Sequence, residues 1–292
     1  MAGNETCPDV YLDTCLVLTR LLLSLFHFLL TMKIALKSIS LSAILSLSLL
    51  SIAKADESRL FQYSTIDALL AGDYDGDISL FELAKHGNFG LGTYNRVDGE
   101  MILLDGVFYK VKGSGKVELA NPEEHSPLAI VTDFKPDTSL ELAEAKTLAE
   151  LEAKIDTSLM NKNLFYAIRI EGDFEGMTTR AIYPQDKPYK PLAEVSKTQS
   201  VFNIGSSKGQ LIGFRSPAFV KGFNVPGYHW HFLASDHHSG GHVLALHLLT
   251  GHAQVATISA VEIKLPTTDS FMHADQSKDR SQELHAVEKS RN

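Results

Sequence analysis

From Gly90 onward, apolar and polar positions mostly alternate, and turn residues cut the alternation into strand-length runs. Asp98-Gly99, Asp105-Gly106 and Ser114-Gly115 separate the runs 91–97, 100–104, 107–112 and 116–120, a pattern that predicts a β-meander. A further strand is expected at 129–134. Thr138-Ser139-Leu140-Glu141 has the spacing of a capping box, which predicts an amphipathic helix to about Ile155. Strands follow at 164–172 and 177–183, then a proline-rich loop at 184–191 that marks a candidate division of the chain. Beyond it come a short helix at 192–197, strands at 200–205, 209–215, 227–233, 242–249 and 254–264, and a polar tail from Pro266 to Asn292.

Before Gly90 the period is helical. Short helices are expected at 64–70 and from Ser79 to Gly87, the second opened by Ser79-Leu80-Phe81-Glu82. Between them, Asp73-Tyr74-Asp75-Gly76-Asp77 departs from a calcium loop, because its Gly comes too early and Ala84 stands where the bidentate Glu belongs. An exposed acidic turn is expected there. The balance of elements predicts an α+β fold with extensive mixed or antiparallel sheet and a few flanking helices.

The N-terminal part reads as targeting rather than fold. After Met32 come Lys33 and Lys37, an apolar stretch Ile39–Ile52 and Ala53-Lys54-Ala55, the order of a secretory signal peptide over 32–55 with cleavage after Ala55. Residues 1–31 hold a second apolar run, Leu16–Leu30, interrupted by Arg20 and His27. A translation start assigned too early accounts for this leader more simply than a long signal or an anchor. The mature region, 56–292, is expected to be exported, periplasmic or secreted, and to have no membrane segment. Cys7 and Cys15 both lie in the leader, so thiolate chemistry and disulfides are excluded from the mature region. A formal charge of −8 provides no basic excess for a phosphate-binding face, which argues against a nucleic-acid partner.

Seven of the twelve histidines fall between His229 and His252. In Gly227-Tyr228-His229-Trp230-His231-Phe232, strand alternation places His229 and His231 on one face. If the run from His242 pairs with this strand as a hairpin, His242 completes three nitrogen ligands with an open fourth position, the arrangement of a catalytic zinc site. His237 and His238 at the loop tip, His247 on the opposite strand parity and His252 in the next turn read as ordinary polar positions.

With these histidines in place, the chain resembles the α-acetolactate decarboxylase family. Similar stretches are Asp75-Gly76-Asp77 with Glu82-Leu83, His86-Gly87-Asn88-Phe89-Gly90-Leu91-Gly92-Thr93, Asp98-Gly99-Glu100-Met101 and Leu104-Asp105-Gly106. Phe165-Tyr166-Ala167-Ile168-Arg169-Ile170, Lys187-Pro188-Tyr189, Gly227-Tyr228-His229, Gly240-Gly241-His242-Val243 and Asp279-Arg280 to Glu288 continue the match. His237-His238 is a departure within the metal-region loop. The resemblance implies metal ligands at His229, His231 and His242, catalytic residues at Glu100, Arg180 and Glu288, and a pocket-lining Thr93.

It also implies conversion of 2-acetolactate to acetoin and carbon dioxide, with Zn2+ or another divalent first-row ion stabilising the enediolate that remains. Arg180 then suits the departing carboxylate, and Glu100 with Glu288 suits proton delivery. Two alternatives stay open at this point: a three-histidine zinc hydratase or hydrolase, and an exported zinc-binding protein. The expected partner is the small substrate, and the reading is compatible with a homodimer.

Overall fold

The computed structural model describes residue 20, residues 23–33 and residues 58–288. The chain divides into two compact units, Met1–Asp56 and Glu57–Asn292. In the first, residues 23–33 are helical and exposed, while Ile39–Ile52, Ala53-Lys54-Ala55 and both cysteines lie outside the described residues. Among the described residues no helix is long and apolar enough to cross a membrane.

The second unit opens with β1 (Arg59–Tyr63), α1 (Ile66–Ala71), β2 (Ile78–Ser79), α2 (Leu80–Leu83) and β3 (Phe89–Thr93). Thr65 starts α1 by accepting from the Ala68 N–H, and Ser79 caps α2 through the Glu82 N–H, as the capping box predicts. The segment between these helices is not the exposed turn expected. Tyr74 and Asp73 are buried, and Asn95, Tyr63 and Thr267 bind the loop's backbone and carboxylates.

The meander follows as β4 (Glu100–Leu104), β5 (Val107–Val111) and β6 (Val117–Leu119), then β7 (His125–Ser126) and β8 (Leu128–Thr132). Its first turn is longer than the sequence suggests. Thr93 already pairs with Glu100, so residues 94–99 form a loop in which Arg96 and Val97 take positive φ, and Asp98-Gly99 is not a two-residue turn.

Thr138–Ala145 is β9, a strand where a helix was expected. Its ladder with residues 248–255 overrides the local helical signal, and Glu141 and Glu144 reach across it to His252 and His247 at 2.8 and 2.9 Å. The helix, α3 (Leu148–Asp156), starts later at a second capping box: Thr147 accepts from the Glu150 N–H while Glu150 accepts from the Lys146 N–H.

Next come β10 (Phe165–Ala181), α4 (Leu192–Val195), β11 (Ser200–Ile204), β12 (Ser207–Ser216), β13 (Gly227–Ala234), β14 (Gly240–Ile258) and β15 (Ala260–Lys264). β10 and β14 are each continuous where two strands were expected. Gly172 and Gly251 pair across the two strands, and a Cβ on Gly172 would stand 2.8 Å from both Leu248 and the Thr250 carbonyl. These glycines permit close approach beside the register shifts, so the break in hydrophobic pattern marks a bend rather than a turn. The polar tail also folds, as α5 (Asp269–His273) and α6 (Ser281–Glu288).

Seven strands form one sheet in the order β15-β1-β8-β3-β4-β5-β6, mixed only through the parallel β1–β15 pair. The second sheet, β11-β10-β12-β13-β14-β9, closes on itself because β10 pairs with both β12 and β14. Leu91, Ile102 and Ile130 of the first sheet pack against Ala167, Ile212 and Ala256 of the second. Leu151 and Ile155 of α3 join Trp230 and Phe232 in another core. Helices α1, α4 and α6 bury Ile66, Leu192 and Val287 together at one end.

Candidate metal centre

The hairpin expected from the histidine spacing is formed. His231 stands opposite His242 in the β13–β14 ladder, and His229 is two residues along the same face of β13. Gly240 and Gly241 make this pairing sterically possible: a Cβ on Gly240 would lie 2.5 Å from the Phe232 carbonyl, and one on Gly241 would lie 2.5 Å from the Arg180 carbonyl. Gly241 also takes a φ of 128°, which a residue with a side chain rarely adopts.

All three imidazoles are buried, and one nitrogen from each lies within 4.8 Å of the others. His229 Nε2 and His242 Nδ1 are 3.2 Å apart. Two nitrogens bound tetrahedrally to one zinc at ~2.0–2.1 Å stand ~3.3 Å apart, so this spacing fits a shared ion. His231 Nδ1–H donates to the Met101 carbonyl at 2.8 Å, which fixes the tautomer and leaves Nε2 buried without a hydrogen-bond partner. A buried nitrogen with a free lone pair is the donor that a cation requires.

Burial, reinforced by the Arg180 charge, pushes His229 down to about 3. Burial likewise holds His231 and His242 well below their ordinary value, with His229 and Arg180 adding to it in both. The imidazoles are therefore neutral, the form that binds metal. His237 and His238 stay on the exposed loop tip, His247 sits between Glu144 and Glu175, and His252 meets Glu141. None of these four joins the centre.

The other residues named from the sequence converge on the same place. Glu100 Oε2 lies 3.5 Å from His231 Nε2, and Glu288 Oε2 lies 3.7 Å from His242 Nε2 and 3.9 Å from His229 Nε2. Arg180 spans the two carboxyls, with Nη1 3.3 Å from Glu100 and Nη2 3.8 Å from Glu288. Burial pushes both glutamates up to about 7 against the opposing pull of Arg180. Each is then poised to hold or release a proton near neutral pH.

Thr93 lines the same cavity of about 40 Å³, but its hydroxyl is already committed, donating to the Gly99 carbonyl at 2.7 Å. Leu69, Leu128 and Val287 supply an apolar wall. A larger cleft of about 1060 Å³ adjoins from the side of His229, His242 and Glu288. Sequence reasoning missed the Met101 carbonyl, for which no side-chain signal exists, and the wall contributed by the tail helix.

The alpha-acetolactate decarboxylase family model matches residues 60–278. An alpha-acetolactate decarboxylase of Methanosarcina mazei is 41% identical over 230 residues, covering 79% of this chain and 80% of that protein. One from Brevibacillus brevis is 38% identical over 237 residues, covering 81% and 83%. The crystal structure of the Bacillus subtilis strain 168 enzyme superposes with a TM-score of 0.78 at 37% identity, covering 80% of this chain and all of that one. With the family model spanning most of the chain and these relatives aligned over most of their length, the chain belongs to the alpha-acetolactate decarboxylase family.

Proposed function

We propose that the protein converts 2-acetolactate to acetoin and carbon dioxide, using zinc held by His229, His231 and His242. Family membership supports the reaction, and the buried trio of neutral imidazoles supports the metal. A divalent ion bound there supplies a Lewis acid for the negative charge that develops as carbon dioxide leaves. Imidazole donors suit zinc while admitting other first-row ions.

The single observation that carries the residue roles is the Arg180 guanidinium placed between the Glu100 and Glu288 carboxyls beside the three histidines. Arg180 is suited to pair with the substrate carboxylate. Loss of carbon dioxide leaves the bond's electron pair on the substrate as an enediolate. Glu100 then passes a proton to the carbon that lost the carboxyl group, and Glu288 on the opposite side of the arginine is the second proton holder. Delivery from one side gives one acetoin enantiomer. Leu69, Leu128 and Val287 keep water from competing and receive the substrate's methyl groups. A metal store has no use for this arginine and its paired glutamates, and a hydratase acting through zinc hydroxide has no enediolate for the arginine to stabilise.

The test is acetoin formation from 2-acetolactate by purified protein, with and without a chelator. Zinc-restored, chelator-sensitive activity supports the reading, and full activity after complete metal removal defeats it. We further propose that the chain is cleaved after Ala55 and exported, and that it works as a homodimer. N-terminal sequencing from the host and sedimentation of the purified protein test these two statements.

A further inference from the structure

Lys110 is a buried cation that the reaction above does not use: its side chain is 5% exposed. It stands on β5 opposite Met101 of β4. Its Nζ lies 3.2 Å from Asp98 Oδ2, contacts the Glu124 carboxylate, and sits 4.3 Å from the centre of the Tyr94 ring. The other Asp98 oxygen, Oδ1, is buried with no hydrogen-bond partner. Asp98 and Gly99 immediately precede Glu100, and the Gly99 carbonyl is itself held by Thr93.

A buried ion pair adds little net stability over a wholly apolar replacement, because the loss of hydration offsets the attraction, whereas removing Lys110 alone leaves the Asp98 and Glu124 carboxylates without their cation. What the ion pair supplies is a fixed location for Asp98. We infer that Lys110 is a positioning residue: by anchoring Asp98 from one face of the first sheet, while Thr93 anchors Gly99, it sets where the Glu100 carboxyl stands relative to His231 and Arg180. This rests on Glu100 acting in proton delivery, as proposed above.

The experiment measures kcat, KM and bound zinc for Lys110→Met, Lys110→Arg, Asp98→Asn, the Lys110→Met/Asp98→Asn double variant and Glu100→Gln, each below its unfolding temperature. Displacement of a reacting group by ~1 Å costs about 10²-fold in rate, so Lys110→Met is expected to lose about that much kcat with KM and zinc unchanged. Lys110→Arg should recover most of it. The double variant should be no slower than Lys110→Met, because both changes cut one link.

Normal kcat in Lys110→Met beside an inactive Glu100→Gln overturns this inference alone, whereas an active Glu100→Gln overturns the role of Glu100 itself. If Lys110→Met does not fold, Asp98→Asn decides: slow turnover with full zinc supports the anchor, and normal turnover overturns it. Losses that multiply in the double variant, or that track zinc content, also overturn it.

Discussion

Arg180 and His242 are cross-strand partners on β10 and β14, and His242 also faces His231 across the β14–β13 pair. Guanidinium and two imidazoles thus form one row over three adjacent strands, with side chains on a common face. After burial, the largest cause of the depressed His242 value is this arginine, so the imidazole is held neutral, the form that can bind a cation.

His242→Ala is therefore expected to lose both zinc and activity, since the row loses its middle member. His237→Ala and His238→Ala should keep both, because these side chains lie on the exposed loop tip. Elemental analysis with an acetoin assay checks all three.

Glu100→Gln and Arg180→Ala should retain zinc and lose about 10²-fold or more in turnover, the usual scale for proton transfer or charge stabilisation. Neither side chain belongs to the three-nitrogen set. Metal content and kcat measured on the same preparation separate the two functions; near-normal turnover in both variants removes the assigned roles.

Val287→Asp should disconnect α6 from its place beside Ile66 and Leu192 and withdraw Glu288 from the centre. The expected outcome is retained zinc and unchanged sheet signal in circular dichroism, with turnover down by about 10²-fold. Loss of zinc in this variant would show that α6 supports the metal ligands as well.

Asp77 gives a stability prediction in acid. Burial acts to raise its carboxyl, but hydrogen bonds from Thr267 and Tyr63 outweigh it and hold the group below its usual 3.8. A depressed folded-state value means that the carboxylate stabilises the fold above 3.8 and that this contribution disappears as pH falls through the lower folded value. Asp77→Asn should unfold at lower temperature than the parent at neutral pH, and the gap should close in stronger acid. Thermal melts over a pH series read it directly; a gap independent of pH would contradict it.

The clustering of the three histidines was legible because strand alternation and one hairpin are local rules. His229-Trp230-His231 and the Gly240-Gly241 turn before His242 lie within a single supersecondary unit. Glu100 and Arg180 came from resemblance alone, because nothing local distinguishes an inward strand-end charge from a surface one. Glu288 was least visible: its place depends on α6 docking through Val287 onto helices from distant parts of the chain. The helix expected from Thr138 failed for a related reason. Leu140-Glu141-Leu142 permits either period, and only the ladder with β14 selects the strand. In β10 and β14 the hydrophobic pattern breaks near Gly172 and Gly251, and a bend and a turn look alike before the partner strand is known.

The closed second sheet has a consequence for the order of assembly. The β13–β14 hairpin gathers all three histidines from one short stretch, whereas Arg180 arrives with the β10–β14 closure and Glu288 only with α6. Contacts between distant segments form later than local ones because more chain must be brought to order first. On refolding in the presence of zinc, recovery of metal binding is therefore expected to run ahead of recovery of acetoin formation.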